Sequence, residues 1–279
     1  MALENGTMDP DNGRRQVRFA FFATLAAIGI GALAGAFIVS LFIDPSSPDL
    51  NIPRWAVLLS GSLIIVPLVV ILRRRGLPLA ETLRLQPVAP STWRDALLIG
   101  FGVSILVDEL DRLVAVAFPL PEWVIQGMQF LTYSTPGEAL LVVGGAVLAA
   151  PLVEELAFRG FFQGQLEAGL GDPTKAVLIS SVFFMLMHFN PWWSLQIYLL
   201  GMVLGYLAWR TGSIWPSFVV HATNNALATW FANGPEGGPS WYTLGDHVSP
   251  PWLLAAAAMA YVGFRSLHVQ NPIPVLSES

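Results

Sequence analysis

Cysteine is absent from this 279-residue chain, and charged residues are scarce. Without cysteine the protein has no disulfide, no thiolate metal site and no cysteine nucleophile. Only 12% of its residues are charged and 54% are hydrophobic, whereas a soluble domain is about a quarter charged. This composition excludes an ordinary soluble domain and predicts an integral membrane protein in a lipid bilayer. The net charge of -5 gives no basic surface, so no nucleic-acid partner is expected.

Apolar runs long enough, or nearly long enough, to cross a bilayer recur along the chain. They lie at about residues 19–43, 55–72, 95–118, 137–168, 174–190, 192–209, 214–232 and 251–268. Each run must be helical, because a helix satisfies its own backbone hydrogen bonds inside lipid. The sequence therefore predicts an all-α, polytopic transmembrane bundle of about eight spans.

The positive charges concentrate on one side of this predicted bundle. Arg14, Arg15 and Arg18 precede the first run, and further arginines follow the second run. Retained arginine marks the cytoplasmic side, so both termini are expected in the cytoplasm. The arginine bias and the lack of cysteine are compatible with a bacterial inner membrane. We divide the chain into N-terminal helices with a cytoplasmic loop (1–130) and a core that carries the candidate chemistry (131–279).

The third run is interrupted by a charged cluster after a dozen apolar residues, formed by Asp108, Glu109, Asp111 and Arg112. In one interpretation the helix breaks or leaves the bilayer there, and Asp108 forms an i,i+4 ion pair with Arg112. In the other, these acids line the same polar cavity as Glu154. The sequence alone leaves both interpretations open.

The fourth run contains two adjacent carboxylates and an arginine, Glu154, Glu155 and Arg159. An ionisable side chain at membrane depth costs roughly 2.5 kcal/mol or more on insertion scales, so it indicates a functional site. Glu155 and Arg159 are four residues apart, a spacing that brings side chains together on a helix. We expect them to form an ion pair that orients the helix, with direct contact to substrate as the alternative.

Two histidines and an asparagine are placed to join Glu154. Asp172 indicates a helix N-cap at a turn, with Glu154 on one side of it and His188 on the other. At about 1.5 Å per residue, both lie roughly 24 to 27 Å from that turn and are level on neighbouring helices. His221 and Asn225 project from one face of a later helix. Simple hydrogen bonding between helices is the alternative for this second pair.

These segments together resemble the CPBP or Abi family of intramembrane endopeptidases, which includes the type II CAAX prenyl proteases. The family pattern is Glu-Glu-x-x-x-Arg, then Phe-x-x-x-His, then His-x-x-x-Asn. It occurs here as Glu154-Glu155-Leu-Ala-Phe-Arg159, Phe184 to His188, and His221 to Asn225. The resemblance covers about residues 137–232.

The resemblance implies a membrane endopeptidase that acts on a membrane-inserted or lipidated, CAAX-like protein substrate. In this scheme Glu154 and His188 activate a water for attack on the peptide carbonyl, and His221 and Asn225 stabilise the oxyanion. The supporting residues are Glu155, Arg159 and Phe184.

A bound metal is left open at this stage. Glu154, His188 and His221 form a ligand set known for catalytic zinc, but the resemblance equally allows a water held without metal, which we prefer. Two other functions compete with proteolysis. One is a non-catalytic membrane binding or scaffold protein, for instance in bacteriocin immunity. The other is a transporter with a proton relay, against which the lack of an inverted repeat counts.

Overall fold

The structure, a computed structural model, describes residues 10–43, 54–235 and 238–271. Its helices are α1 (Pro10–Ser40), α2 (Arg54–Ser62), α3 (Ile65–Arg74), α4 (Leu79–Thr82), α5 (Pro90–Ala117), α6 (Glu122–Met128) with a 3-10 turn (Gln129–Leu131), α7 (Pro136–Val142), α8 (Ala150–Glu155), α9 (Gln163–Leu170), α10 (Pro173–Leu186), α11 (Ser194–Thr211), α12 (Trp215–Ala232) and α13 (Pro250–Gln270). Two π-helical segments, π1 (Val143–Ala149) and π2 (Leu156–Phe162), join α7, α8 and α9 into one rod.

The predicted all-α bundle is confirmed. Within the described ranges, the only strands are the two-residue β1 (Thr243–Leu244) and β2 (His247–Val248), which form an antiparallel hairpin. In the part of the chain that the structure describes, three helical stretches are long and apolar enough to cross a membrane, Asp11–Ser40, Pro136–Leu170 and Pro250–Gln270. The figure of about eight spans stays a prediction. The termini predicted to be cytoplasmic, residues 1–9 and 272–279, lie outside the described residues.

The central rod Pro136–Leu170 has recognisable signals at both ends and in its middle. At its start, the hydroxyl of Thr135 accepts from the backbone N–H of Glu138 at 3.2 Å. Pro151, the second residue of α8, has no N–H to donate to the turn before it, which explains why regular α-helical bonding fails in π1. The rod ends at Gly171 in the left-handed conformation. Asp172 then caps α10 as predicted, accepting from the N–H of Lys175 at 3.0 Å.

Two apolar clusters hold the bundle around this rod. One places fully buried Phe161 and Phe162 of π2 against α1 and α3. The other joins α5 to α11, α12 and α13. At Gly102 of α5, an added Cβ would lie 2.5 Å from the carbonyl oxygen of Ala256, so glycine is what allows α5 to approach α13 so closely.

Of the interpretations left open for the third span, a break in the helix is contradicted, because α5 runs unbroken from Pro90 to Ala117. The predicted ion pair is present, with Arg112 Nε 3.1 Å from Asp108 Oδ2. The carboxylates of this cluster bond to the hairpin: Asp108 accepts from Tyr242 and Glu109 contacts His247. Asp108 and Glu109 are tolerated in an unbroken helix because these partners bond their carboxylates.

Candidate active site

Glu154 lies between two histidines that come from different helices. Its Oε2 atom is 3.9 Å from Nε2 of His188, just beyond the end of α10, and 3.8 Å from Nε2 of His221 on α12. Both distances are too long for a direct hydrogen bond and short enough for a shared small molecule. Glu154 Oε2 is buried and forms no hydrogen bond with any described residue. The arrangement therefore presents a carboxylate oxygen and two ring nitrogens to one small space.

The hydrogen bonds of the two imidazole rings fix which nitrogen faces Glu154. Nδ1 of His188 lies 2.7 Å from the carbonyl oxygen of Phe184, and Nδ1 of His221 lies 2.9 Å from Oε1 of Glu155. A carbonyl or carboxylate oxygen only accepts, so each Nδ1 carries the proton and donates. In the neutral rings Nε2 is then an acceptor directed at the space beside Glu154.

Phe184 packs against both histidines. Its ring is 1% exposed, with ring centroids 4.6 Å from His188 and 5.7 Å from His221. The guanidinium of Arg159 lies 4.0 Å from the same ring, a cation–π geometry. Phe184 thus orients His188 through its backbone carbonyl and supports His221 and Arg159 through its side chain.

The ion pair predicted between Glu155 and Arg159 is present and buried. Arg159 Nη1 donates to Glu155 Oε1 at 3.1 Å, and the two side chains are 1% and 0% exposed. Nη2 of Arg159 also donates to the carbonyl oxygen of Gly201 on α11, at 3.4 Å. The pair therefore links the rod to α11 and, through Glu155, to His221.

Asn225 lies one helical turn after His221 on α12 and contacts π1. Its side-chain N–H donates to the carbonyl oxygen of Ala146 at 2.9 Å. An amide nitrogen carries two hydrogens, so this bond leaves a second donor. The structure brings Glu154, His188 and His221 into one cluster and ties Asn225 to the wall formed by π1.

The cluster is accessible from one side. The side chains of Glu154 and His188 are 29% and 33% exposed, whereas that of His221 is 5% exposed. A reactant can therefore approach Glu154 and His188 while His221 and the Glu155–Arg159 pair stay enclosed. Two π-helical segments flank Glu154 and Glu155, as is frequent at functional sites.

The donor types at this site suit zinc, since one carboxylate and two imidazoles are common ligands. Their spacing is wider than a bound ion would set: Oε2 of Glu154 lies 3.8 and 3.9 Å from the two Nε2 atoms, and among the described residues no group of three or more His, Asp or Glu is arranged to hold a metal ion. Because both Nδ1 atoms are protonated, the two Nε2 atoms can accept hydrogen bonds from a small polar reactant.

Sequence reasoning missed the bond between His221 and Glu155 and the bond between Asn225 and Ala146. It also missed Gln163, which is buried and donates to the carbonyl oxygen of Gly205 at 2.8 Å. The four-residue spacing from Arg159 to Gln163 was a usable signal for the last of these. The backbone acceptor on π1 had no signal in the sequence.

Comparison with known proteins agrees with this geometry. The family model described as type II CAAX prenyl endopeptidase Rce1-like matches residues 136–227. The match confirms the family resemblance. Residues 136–227 carry an Rce1-like domain. This Rce1-like segment runs from α7 into α12 and contains Glu154, His188, His221 and Asn225. Together with the apolar helices, it identifies the chain as an integral membrane protein.

A relative of similar length also matches. The chain is 26% identical over 278 aligned residues to the uncharacterized protein YyaK of Bacillus subtilis (strain 168), covering 89% of this chain and 90% of YyaK. No solved structure gives a significant match to this chain.

Proposed function

We propose that this protein is an intramembrane endopeptidase that hydrolyses a peptide bond in a membrane-inserted or lipidated, CAAX-like protein. One observation carries the proposal: a buried carboxylate oxygen of Glu154, unpaired among the described residues, lies 3.8 and 3.9 Å from two imidazole nitrogens. The Rce1-like match is consistent with this kind of chemistry. We place the enzyme in a bacterial inner membrane with both termini in the cytoplasm.

In the proposed reaction a water binds beside Glu154 and His188. As the water oxygen attacks the peptide carbonyl carbon, its proton passes to the carboxylate of Glu154. The same proton then goes to the peptide nitrogen as the carbon–nitrogen bond breaks, which leaves a free amine and a carboxylic acid. His188 orients the water because its Nε2 accepts a hydrogen bond, while its Nδ1 is held by the carbonyl of Phe184.

Oxyanion stabilisation is assigned to Asn225 and His221. The second side-chain N–H of Asn225 is available after its bond to Ala146. His221 can donate from Nε2 only when both ring nitrogens are protonated, while Nδ1 still donates to Glu155. Preorganised donors of this kind act on the negative charge that develops in the transition state.

An apolar cleft beside π1 supports a substrate that carries a lipid chain or an apolar helix. The cleft has a volume of about 270 Å³ and is lined by residues of α2 and of the rod, including Trp55, Leu58, Leu140 and Gly144. Its wall is the same π1 segment whose Ala146 carbonyl holds Asn225. The cleft and Asn225 therefore both contact the π1 segment.

We propose that the water is activated without a metal. In support, no three His, Asp or Glu side chains of the described residues are arranged to hold an ion. The test is elemental analysis of the purified protein. Stoichiometric zinc in wild type that is lost in His188→Gln would overturn the metal-free account.

The proposed function is tested by offering purified wild type in nanodiscs a farnesylated CAAX peptide, the same peptide without the farnesyl group, and an unrelated transmembrane peptide. We expect cleavage of the farnesylated peptide, with Glu154→Gln inactive at equal folded concentration. Cleavage of the transmembrane peptide alone would support an endopeptidase and contradict a prenylated substrate. No cleavage of any of the three by folded wild type would favour a scaffold protein.

A further inference from the structure

A column of polar side chains continues from the active site along the rod, beyond the motif residues. Its members are spaced four residues apart: Glu155, Arg159, Gln163 and Glu167. The first three are 0% exposed, although they lie in an otherwise apolar helix. Buried polar groups need hydrogen-bond partners, so the contacts of this column determine how its side chains are held.

The lower half of the column is anchored to α11 and to the connector before α5. Nε2 of Gln163 donates to Oε1 of Glu167 and to the carbonyl oxygen of Gly205, both at 2.8 Å. Glu167 in turn forms a two-point ion pair with Arg84. Gln163 is therefore held in place by a backbone carbonyl and by a charged pair, neither of which belongs to the active site.

The upper half of the column reaches the active site. Arg159 bonds to Glu155, and Glu155 accepts from Nδ1 of His221. The other anchor of Arg159, the carbonyl of Gly201, is 3.4 Å away, close to the limit of a hydrogen bond. The orientation of His221 thus depends on an arginine whose own attachment to α11 is weak.

Gln163 and Arg159 each have one buried polar atom that could pair with the other. Arg159 Nε, a donor, and Gln163 Oε1, an acceptor, are both buried and form no hydrogen bond with any described residue. The two residues are four apart, the spacing at which side chains on a helix meet. Gln163 Oε1 also packs on Gly205, where an added Cβ would lie 2.9 Å from it. The amide oxygen of Gln163 therefore has almost no room to move towards α11.

We propose that Gln163 is a positioning residue. It confines Arg159 on the side opposite Glu155, so that Glu155 stays on Nδ1 of His221 and the ring keeps Nε2 towards Glu154. The effect on activity rests on the proposed function; the effect on the His221 ring does not.

The test reads the His221 ring directly and separately from activity. The chain has four histidines, so nitrogen-15 labelling of histidine in nanodiscs gives few signals, and His221→Gln assigns the one that matters. In wild type we expect a His221 signal with the proton on Nδ1. Gln163→Met keeps the length of the side chain and removes its polar atoms. We expect it to shift that signal and to lower kcat about 2- to 30-fold, the range for residues that act on a site through a packed network, with KM within about threefold.

Two matched comparisons separate positioning from general packing. Gln165→Met makes the same change two residues along, where Gln165 bonds only Gln16 among the contacts described, and should leave the His221 signal unchanged. Gly205→Ala displaces Gln163 Oε1 from the other side and should reproduce the shift. Gly29→Ala, where an added Cβ meets nothing within 4 Å, controls for the substitution itself.

The outcomes are distinguishable. A wild-type His221 signal in folded Gln163→Met overturns the positioning role, whatever happens to activity. If Gln163→Met does not fold, a wild-type signal in folded Gly205→Ala overturns it equally. A shifted signal in a protein that cleaves no peptide at all supports the positioning role and removes the proposed function instead.

Discussion

Two clusters in this protein contain the same types of side chain and differ in how completely they are paired. The active-site cluster combines Glu154 and Glu155 with histidine and arginine. The hairpin cluster, formed by Asp108, Glu109, Arg112, Tyr242 and His247, also contains a glutamate–histidine contact, at 2.8 Å, and an i,i+4 arginine pair, at 3.1 Å. Residue types alone would make both clusters candidate sites.

The difference lies in what each glutamate touches. Both carboxylate oxygens of Glu109 are occupied, one by His247 and one by the backbone N–H of Val248 at 2.7 Å. Oε2 of Glu154 is buried and has no hydrogen bond within the described parts of the chain. A buried acceptor left without a partner costs free energy, and that cost is what a water or substrate would relieve. A carboxylate oxygen without a hydrogen-bond partner, on a side chain that a reactant can reach, therefore distinguishes the candidate active site from the hairpin cluster.

The largest expected change in stability comes from breaking the two arginine pairs in parallel. Arg159→Leu leaves Glu155 charged and fully buried, which typically costs about 3–5 kcal/mol. Arg112→Leu removes a pair whose side chains are 19% and 27% exposed, so its cost should be about 1 kcal/mol or less. The measurement is thermal unfolding and folded yield in detergent.

This prediction also decides between the two roles considered for Arg159. A protein that folds as well as wild type but loses activity would contradict a purely structural ion pair and favour contact with substrate.

The next largest effect concerns two asparagines, one in the middle of α12 and one at its C-cap. Asn225→Leu removes the proposed oxyanion donor and should lower kcat about 10²- to 10³-fold. Asn233→Leu makes the same change at the C-cap, where Asn233 donates to the carbonyls of Leu131 and Thr229 and accepts from the backbone N–H of Tyr133. We expect Asn233→Leu to lower stability by about 1 kcal/mol and to change kcat little. Equal losses of kcat in the two variants would contradict the role of Asn225 as an oxyanion donor.

A smaller effect is expected when a bond of the hairpin cluster is removed. Burial raises the pKa of Tyr242, and the neighbouring Asp108 raises it further, so the phenol stays protonated and donates to Asp108 at 2.8 Å. Tyr242→Phe should therefore cost about 1 kcal/mol of unfolding free energy and leave peptide cleavage unchanged. Tyr261→Phe, at a site 63% exposed, serves as the control. A large loss of cleavage in Tyr242→Phe would contradict the structural role given to the hairpin cluster.

Much of the site was predictable because helical periodicity determines which side chains meet. The four-residue spacing of Glu155 and Arg159 predicted their ion pair, and counting from the cap at Asp172 predicted that Glu154 and His188 lie level. The all-α bundle followed in the same way from apolar runs and the need to satisfy backbone groups in lipid.

The contacts that escaped prediction depend on backbone detail. Asn225 binds a carbonyl of π1, and no residue pattern announces which turn of a helix widens to π geometry. His221 turned out to bond Glu155 as well as facing Glu154, since two adjacent glutamates on one helix point in different directions. The sequence left a break in α5 open because the partners of its charges lie in and beside a hairpin far along the chain.

The most direct test makes one substitution in each cluster, Glu154→Gln and Glu109→Gln, and measures cleavage of the farnesylated CAAX peptide beside wild type. Glutamine keeps the shape of glutamate and removes its ability to take a proton. The account predicts that Glu154→Gln lowers kcat at least about 10²- to 10⁴-fold, while Glu109→Gln cleaves at nearly the wild-type rate. Equal cleavage by Glu154→Gln and wild type would contradict the role of Glu154 as the base.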